Sequence, residues 1–430
     1  MMVSYQEVVD LYSKYVMKPV SDPIVLTNGE GVYLFDVEGK KYLDFSTGFS
    51  VMALGYGNKR TTETAVAQMR KLIHCCHYQY YSIPAALLAK KLSEILGSNL
   101  RKTLFCNSGT EAIEGAMRLA RKHTKRHEVL ALFRSHHGRS MGAATLTGNW
   151  REKKGMGPYV PGVVHAPAPY CYRCSLRQTY PQCGIACAEF VNDLIDHATS
   201  NEVGCFFLEP VLTDVVIVPP DEYFERITSI CDERDMLLVV DEVQTGFGRT
   251  GKPFAFQHWN IKPDIAVLGK AMGAGLPLAA YVATESVSSS LESLDFGASN
   301  AGNPVACAAG LEMISAIEDQ RLVDRAKTLG DYFIRRLGEL ADKYGCVGEV
   351  RGKGFIVGLE LVKDQKNKRP AYKEALETKT YLRENGLLVV LNESTLRILP
   401  PLISEQEHVD RAVELIDKSL QRIDGGSRTH

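Results

Sequence analysis

The chain has 430 residues, of which 45% are apolar and 23% charged, and its formal net charge at pH 7 is −1. This is the composition of a globular protein large enough for two or three domains, and its balanced charge argues against a dedicated nucleic-acid or membrane-surface protein. No apolar run reaches the roughly 18 residues that a membrane span needs, so we expect neither a membrane nor a nucleic-acid partner.

The N-terminal part of the chain predicts a helix and then a hairpin. Residues 1–16 have acidic residues among the apolar ones and lack the cationic and apolar regions of a signal peptide, so we expect an amphipathic helix. We therefore expect a cytoplasmic protein, in which the 11 cysteines are reduced by default. Residues 32–45 (VYLFDVEGKKYLDF) are typical of a β-hairpin with Gly39 and Lys40 at the turn.

The middle of the chain alternates between strand-like and helix-like segments. Apolar runs at 128–133, 205–211, 236–243 and 264–269 predict buried strands, and residues 221–235 have apolar residues at helical spacing. Continuous apolar strands that alternate with helices indicate an α/β fold with parallel strands covered on both faces.

The composition changes near residue 310. Beyond it we expect helices over 311–343 and 370–385, Gly-rich and apolar strands over 351–362 and 395–400, and a final helix over 404–422. These elements predict a smaller α+β domain. We therefore expect a large domain over residues 56–310 and a C-terminal small domain over residues 311–430. The N-terminal segment, residues 1–55, is expected to join the small domain.

A possible phosphate site precedes the helical stretch 111–123. Ser108 and Thr110 offer hydroxyl groups, Gly109 permits close approach of the backbone, and the start of a helix offers free N–H groups and a positive dipole end. The alternative is an ordinary helix cap, because serine and threonine commonly begin helices.

Four cysteines form a compact group in a segment that resembles an insertion. Cys171, Cys174, Cys183 and Cys187 make two close pairs, which is the layout of a tetrahedral zinc site. A disulfide-linked loop and free thiols are the alternatives. We assign no metal to the catalytic site, and a metal in this loop would be structural.

Two residues at predicted strand ends have the chemistry of a catalytic site. Asp241 follows LLVV, where a buried carboxylate needs a positive partner such as a pyridinium nitrogen; loop amides or a metal are the alternatives. Lys270 ends an apolar strand, where a dry cleft lowers the pKa of an amine and frees it for Schiff-base chemistry; an ordinary surface lysine is the alternative. An amine, a carboxylate and a phosphate site together match the aldehyde, ring nitrogen and phosphate of pyridoxal 5'-phosphate.

Over residues 20–420 the chain resembles the class III (ornithine/acetylornithine/4-aminobutyrate type) aminotransferases. The most specific motif is VVDEVQTGFGRTGKPFAFQHWNIKPDIAVLGKAMGAGLPLAA, residues 239–280, and NSGTEAIEGAMRLAR, residues 107–121, also matches. The resemblance implies the aspartate-aminotransferase fold (PLP fold type I), an α/β fold with a mostly parallel sheet in the large domain and a smaller α+β domain. It also implies pyridoxal 5'-phosphate as the cofactor and a homodimer with shared active sites.

The resemblance assigns roles around the cofactor. Lys270 holds the cofactor aldehyde and later moves the proton, Asp241 pairs with the ring nitrogen, and Gln244 contacts the ring hydroxyl. The phosphate is held by residues 108–110. Ser299 stands where the family usually has threonine, and by the resemblance it binds the phosphate in the neighbouring subunit's site.

His136 departs further from the family pattern. It stands where the family commonly places Phe, Tyr or Trp stacked on the cofactor ring. A histidine can both stack and titrate, and we interpret His136 as a polar aromatic substitute.

The resemblance also names substrate-binding residues. Arg397 matches the arginine that binds the α-carboxylate of glutamate or 2-oxoglutarate, and Glu209 matches its partner when a donor lacks that carboxylate; a structural acid is the alternative for Glu209. Arg139 matches a second carboxylate-binding arginine, with a salt bridge within its own loop as the alternative. Phe49 occupies a pocket position that varies with the substrate.

The resulting hypothesis is a transaminase. We expect it to move an amino group from an ω-amino acid or amine, such as 4-aminobutyrate, to a keto acid such as 2-oxoglutarate. A racemase or epimerase on the same scaffold is the first alternative, because both reactions need Lys270 and Asp241 and because EPVLTDVV (209–216) departs from the family pattern. A non-enzymatic scaffold whose function resides in the cysteine group is the second.

Overall fold

The computed structural model describes residues 4–17, 22–97, 99–293 and 295–426, which form fourteen α-helices and fifteen strands. The helices are α1 Tyr5–Tyr15, α2 Thr47–Ser50, α3 Lys59–Lys71, α4 Ile83–Leu96, α5 Gly109–Thr124, α6 Met141–Leu146, α7 Trp150–Lys153, α8 Ala186–Ala198, α9 Asp221–Glu233, α10 Glu285–Ser288, α11 Pro304–Asp319, α12 Leu322–Lys343, α13 Tyr372–Glu384 and α14 Gln406–Gly426. The strands are β1 Leu26–Glu30, β2 Tyr33–Asp36, β3 Lys41–Asp44, β4 Leu100–Cys106, β5 Glu128–Leu132, β6 Val163–Ala166, β7 Val203–Leu208, β8 Leu237–Asp241, β9 Ile265–Leu268, β10 Ala279–Thr284, β11 Val347–Lys353, β12 Ile356–Leu361, β13 Leu387–Leu388, β14 Val390–Asn392 and β15 Thr395–Ile398.

The largest sheet has seven strands in the order β4-β10-β9-β8-β7-β5-β6. Strand β10 is antiparallel to β4 and β9, and the other neighbours pair in parallel. Apolar side chains bury both faces of this sheet; β7, for example, is buried along its whole length. The predicted α/β fold with a mostly parallel sheet is thus confirmed. The carboxyl ends of β4, β5, β7, β8 and β9 meet at one edge, where such sheets place their ligands.

Two four-stranded sheets lie outside this sheet. The predicted hairpin forms β2 and β3, and β13 from the C-terminal part of the chain extends the same sheet by pairing in parallel with β3. The other sheet has the order β11-β12-β15-β14. The domain boundaries proposed at residues 55 and 310 stay a prediction, and α11 runs across the second of them.

Two predicted elements are corrected by the structure. Residues 351–362 are not one strand but belong to the hairpin β11–β12, because Gly354 has φ +56 and approaches the backbone of Thr250 too closely for a Cβ atom. Residues 311–343 are not one helix, because Arg321, with φ +51, separates α11 from α12. Apolar spacing continues across both breaks, so it cannot reveal a change in backbone direction.

Among the residues given above, no helix is both long and apolar enough to cross a bilayer.

A buried carboxylate links the cysteine-rich loop to the third sheet. Glu360 in β12 accepts hydrogen bonds from Tyr170 Oη and, at 2.5 Å, from Arg173 Nε, and it lies 2.8 Å from Arg351 Nη2. Burial alone raises the pKa of Glu360, but these partners more than offset that effect and hold the pKa below its usual 4.5. The ionised Glu360 carboxylate therefore stabilises the fold above pH 4.5. This stabilisation is lost as the pH falls through the lower pKa that Glu360 has in the folded state.

Substituting Glu360 should destabilise the fold strongly. We expect Glu360→Gln to lower the free energy of unfolding by about 3 kcal/mol, because two arginines lose a buried partner. Urea titration at pH 7 measures this change. The control is Glu377→Gln, because Glu377 pairs with Lys373 at 3.7 Å on an exposed helix face and is expected to change stability by less than about 0.5 kcal/mol. Equal changes in the free energy of unfolding for the two substitutions would contradict the stabilising role of Glu360.

Candidate active site

A cavity of about 260 Å³ lies at the carboxyl edge of the large sheet. It brings together most of the predicted site residues, and its lining consists of Gly109, Thr110, His136, His137, Gly138, Arg139, Glu209, Thr213, Asp241, Val243, Gln244 and Lys270. A larger cavity, of about 620 Å³, lies between α1 and residues 23–26, but its lining is mostly apolar and includes none of the predicted site residues.

Asp241 is the last residue of β8 and is buried. His137 Nδ1 lies 2.7 Å from Asp241 Oδ2 and donates a hydrogen bond to it when protonated, and Val243 N–H donates to Oδ1 at 3.0 Å. His137 is itself buried, and its Nε2 has no partner within the described residues. The imidazole therefore orients the carboxylate. His137 was not among the predicted site residues, although it directly follows the predicted His136.

Lys270 follows β9 and has a left-handed backbone conformation, φ +47, which is costly for a non-glycine residue. Its Nζ donates a hydrogen bond to Gln244 Oε1 at 2.6 Å, and Thr213 Oγ1 lies 3.1 Å from the same oxygen. Burial lowers the pKa of Lys270 to about 8, and the charge of Arg397 acts in the same direction. The site thus presents an amine that loses its proton near neutral pH.

The shifted pKa of Lys270 should be measurable in the cofactor-free protein. Because only the neutral amine is nucleophilic, we expect its rate of reaction with an aldehyde reagent to rise with pH around a midpoint near 8. Labelling followed by peptide mass spectrometry isolates this residue. Arg397→Ala should move the midpoint upwards, because it removes a neighbouring positive charge. A midpoint near 10.5 in the unsubstituted protein would contradict the shift.

The predicted phosphate-binding residues lie at the start of α5. Ser108 is the N-cap, and its hydroxyl oxygen accepts from Glu111 N–H, so the capping interpretation holds for that atom. Thr110 Oγ1 lies 2.7 Å from Ser140 Oγ. A Cβ on Gly109 would come within 2.8 Å of Val243 Cγ1, so this position has no room for a side chain. The first turn thus combines free N–H groups with a bare backbone, which suits an anion.

Arg397 and Phe49 lie together beside the cavity. The Arg397 side chain is 5% exposed, its guanidinium carbon is 5.9 Å from the centre of the Phe49 ring, and its Nε has no hydrogen-bond partner among the described residues. Its Nη1 lies 3.6 Å from Asp214 Oδ1. Glu209, which the resemblance pairs with Arg397 when a donor without an α-carboxylate is bound, accepts hydrogen bonds from His136 N–H and from Thr213.

Arg139 and His136 both contact Glu152, which sequence analysis did not identify. Arg139 Nη2 lies 3.1 Å from Glu152 Oε1, and His136 Nδ1 lies 3.1 Å from Oε2. The Arg139 side chain is 74% exposed. The structure therefore shows a salt bridge of Arg139, but to Glu152 in α7 and not within its own loop, and the role of Arg139 in binding a substrate carboxylate stays a prediction.

Ser299 and the four cysteines lie outside the cavity lining. Ser299 is exposed. Cys171, Cys174, Cys183 and Cys187 are free thiols, and burial and the neighbouring thiols raise the pKa of Cys187 to about 12. Within the described part of the chain, no three His, Cys, Asp or Glu side chains are arranged to hold a metal ion.

The chain is similar to known proteins over almost its whole length. The family model described as aminotransferase class-III matches residues 16–420. The chain is 35% identical to the leucine/methionine racemase of Thermococcus litoralis, over 98% of this chain and 96% of the relative. It is 34% identical to the acetylornithine aminotransferase of Methanocaldococcus jannaschii, over 98% of this chain and 100% of the relative. The solved structure of the ω-transaminase from Pseudomonas jessenii in complex with PMP has a TM-score of 0.93 at 28% identity, covering 97% of this chain and 99% of that one.

Proposed function

Because the chain belongs to the class-III aminotransferase family and is a pyridoxal 5'-phosphate-dependent transaminase, we propose that its amino donor is an ω-amino acid or amine, such as 4-aminobutyrate, and its acceptor a keto acid such as 2-oxoglutarate. The observation that carries this proposal is Arg397. It is a buried guanidinium beside the catalytic cavity with an unpaired Nε, and such a group suits the carboxylate of a keto acid.

The side chains of the cavity fit the cofactor. Gln244 Nε2 is buried and has no hydrogen-bond partner in the described structure, so it offers a donor for the ring hydroxyl. The first turn of α5 would hold the phosphate, Asp241 the ring nitrogen and Lys270 the aldehyde. The bound cofactor supplies an electron sink that makes the hydrogen on the substrate carbon acidic.

The residues of this chain then supply binding and proton transfer. Lys270 takes the proton as a general base, since its pKa of about 8 makes the neutral amine accessible near neutral pH. His137 keeps the Asp241 carboxylate in place. Gln244 accepts a hydrogen bond from the free Lys270 amine and so positions Nζ beside the cavity. Arg397 orients substrates that have a carboxylate.

A racemase or epimerase is the second candidate. It is favoured by the 35% identity to the leucine/methionine racemase and by the acids Glu209 and Asp214, both of which act on Lys270 electrostatically. A racemase returns the proton to the opposite face of the carbon, which needs an acid in addition to Lys270.

A panel of donors and acceptors with chiral analysis of the products tests the proposed function. A transaminase forms at most one equivalent of ketone or aldehyde per site from the donor alone, and turns over continuously only when an acceptor regenerates the cofactor. A racemase converts one enantiomer of an amino acid into the other, exchanges its α-hydrogen with deuterium from the solvent and needs no keto acid. Racemisation without net amino transfer would overturn the proposal.

We also propose a homodimer with shared active sites, in which Ser299 serves the site of the other subunit. Support comes from an exposed apolar surface next to Ser299. Two hydrogen bonds hold this surface beside Ser299: Tyr78 Oη donates to the Ala298 carbonyl at 2.7 Å, and Asn303 Nδ2 donates to the Ile73 carbonyl at 3.0 Å. The exposed apolar residues are Leu72, Ile73, Tyr78, Tyr80, Tyr81 and Ile83. Cytoplasmic localisation stays a prediction.

Mixed dimers test the shared site. Lys270→Ala and Ser299→Glu each inactivate a homodimer if the proposal holds, the second because a carboxylate repels the phosphate. A heterodimer of the two variants has one intact site, so co-expression should restore up to about half of the activity per dimer. A verified heterodimer without recovered activity would contradict the proposal that the two subunits share their active sites.

A further inference from the structure

Two acids compete for the role of internal counter-ion to Arg397. Glu209 and Asp214 lie five residues apart in the segment 209–216, which departs from the family pattern. Both stabilise the charge of Arg397, and their surroundings differ in ways that decide which one acts as its partner.

The carboxyl group of Glu209 already accepts hydrogen bonds from other groups. Its Oε1 accepts from His136 N–H at 2.8 Å, and its Oε2 accepts from Thr213 N–H at 3.1 Å and Thr213 Oγ1 at 2.8 Å. Burial raises the pKa of Glu209, which favours the neutral acid. A carboxyl group whose two oxygens are already held by other donors is a poor counter-ion, because it cannot turn towards the guanidinium without losing those hydrogen bonds.

Asp214 is better placed to balance the guanidinium. Its Oδ1 lies 3.6 Å from Arg397 Nη1, while its Oδ2 accepts from Asn149 Nδ2 at 2.6 Å. Its backbone carbonyl accepts from Asn392 Nδ2 at 3.0 Å, which anchors the segment to β14. The separation from Arg397 is longer than a hydrogen bond, so the pair attracts electrostatically while the guanidinium keeps its donors available for a ligand.

We propose that Asp214, and not Glu209, is the internal counter-ion of Arg397 and thereby sets the preference between substrates with and without a carboxylate. This inference rests on the proposed function. A donor without a carboxylate leaves the Asp214–Arg397 pair intact, so no positive charge is stranded in the cavity. A substrate with a carboxylate must compete with Asp214 for Arg397, and the aspartate limits how tightly that substrate binds.

The first test measures binding without turnover. The Kd of valerate, a simple monocarboxylate, is measured calorimetrically on the cofactor-loaded protein. Asp214→Asn should lower this Kd about tenfold, because Arg397 loses its competing anion. Asn149→Ala should raise it a few-fold, because Asp214 loses its other strong partner and pairs more closely with Arg397. A merely structural role of the segment predicts a change in the same direction for both variants.

Glu209→Gln is the matched comparison, because it removes the other acid. We expect it to change the Kd of valerate by less than about threefold. The second measurement is kcat/KM for 1-phenylethylamine, an amine without a carboxylate, which Asp214→Asn should lower about tenfold while the Kd of valerate falls. Failure of the protein to transaminate any amine would refute the proposed function, yet the valerate titration would still report on the counter-ion.

Two results would overturn the inference. One is a Kd of valerate that responds to Glu209→Gln as strongly as to Asp214→Asn. The other is an Asp214→Asn protein that binds valerate as the unsubstituted protein does but has lost proton exchange at the substrate carbon, which would make Asp214 a proton donor instead.

Discussion

Substitution of Lys270 by alanine is expected to lower kcat by roughly 10⁴-fold or more, the largest effect among the substitutions considered for this protein. Two functions are lost together: the amine that holds the cofactor aldehyde and the base that moves the proton. Gln244, which accepts from the amine in the unsubstituted protein, keeps its contact with Thr213, so the variant should fold normally.

Steady-state kinetics and borohydride reduction measure this loss. In the unsubstituted protein, reduction should attach the cofactor covalently to Lys270, and in Lys270→Ala no residue should be labelled. The control is Lys262→Ala, since Lys262 is an exposed lysine that precedes β9. Covalent labelling elsewhere with retained turnover in Lys270→Ala would contradict the central assignment.

Asp241→Asn is expected to lower kcat by about 10³-fold. Asparagine keeps the size of the side chain but removes the negative charge that holds the ring nitrogen protonated, and protonation of that nitrogen is what lets the ring accept electrons. His137 also loses a charged partner at 2.7 Å, so its imidazole becomes free to reorient.

Asp264→Asn provides the matched comparison. Asp264 lies next to β9, and its carboxylate accepts from Leu238 N–H at 2.8 Å, far from the cofactor chemistry but in a similar strand environment. We expect it to reduce stability and to leave kcat within about threefold, because a neutral amide oxygen still accepts the bond. A comparable loss of kcat in both variants would mean that Asp241 acts through the fold.

The parts of the site that could be predicted from the sequence are those tied to strand ends. Asp241 and Lys270 each follow an apolar run, and the parallel sheet brings these ends together whatever the details of packing. The groups that contact them, His137 and Thr213, come from other loops. Their distance from the catalytic atoms depends on how those loops close, which the local pattern does not encode.

The partners of charged side chains were the hardest to predict. The resemblance pairs Arg397 with Glu209 when a donor without an α-carboxylate is bound, and that pairing stays a prediction. In the structure, Asp214 Oδ1 lies 3.6 Å from Arg397 Nη1, and Glu209 accepts from backbone and hydroxyl donors. The choice between two acids five residues apart depends on how a buried loop packs around the guanidinium. That packing follows from tertiary contacts and from competing hydrogen bonds.

The pairing of β13 with β3 has a consequence for biosynthesis. Lys40, at the turn of the N-terminal hairpin, donates to the carbonyl of Glu384, a residue 344 positions later, and the strand that completes that sheet follows Glu384. On the ribosome, the first hairpin must therefore wait with an unpaired edge until nearly the entire polypeptide has been made. Such an edge can pair with other nascent chains, so we expect newly made protein to depend on chaperones during this interval.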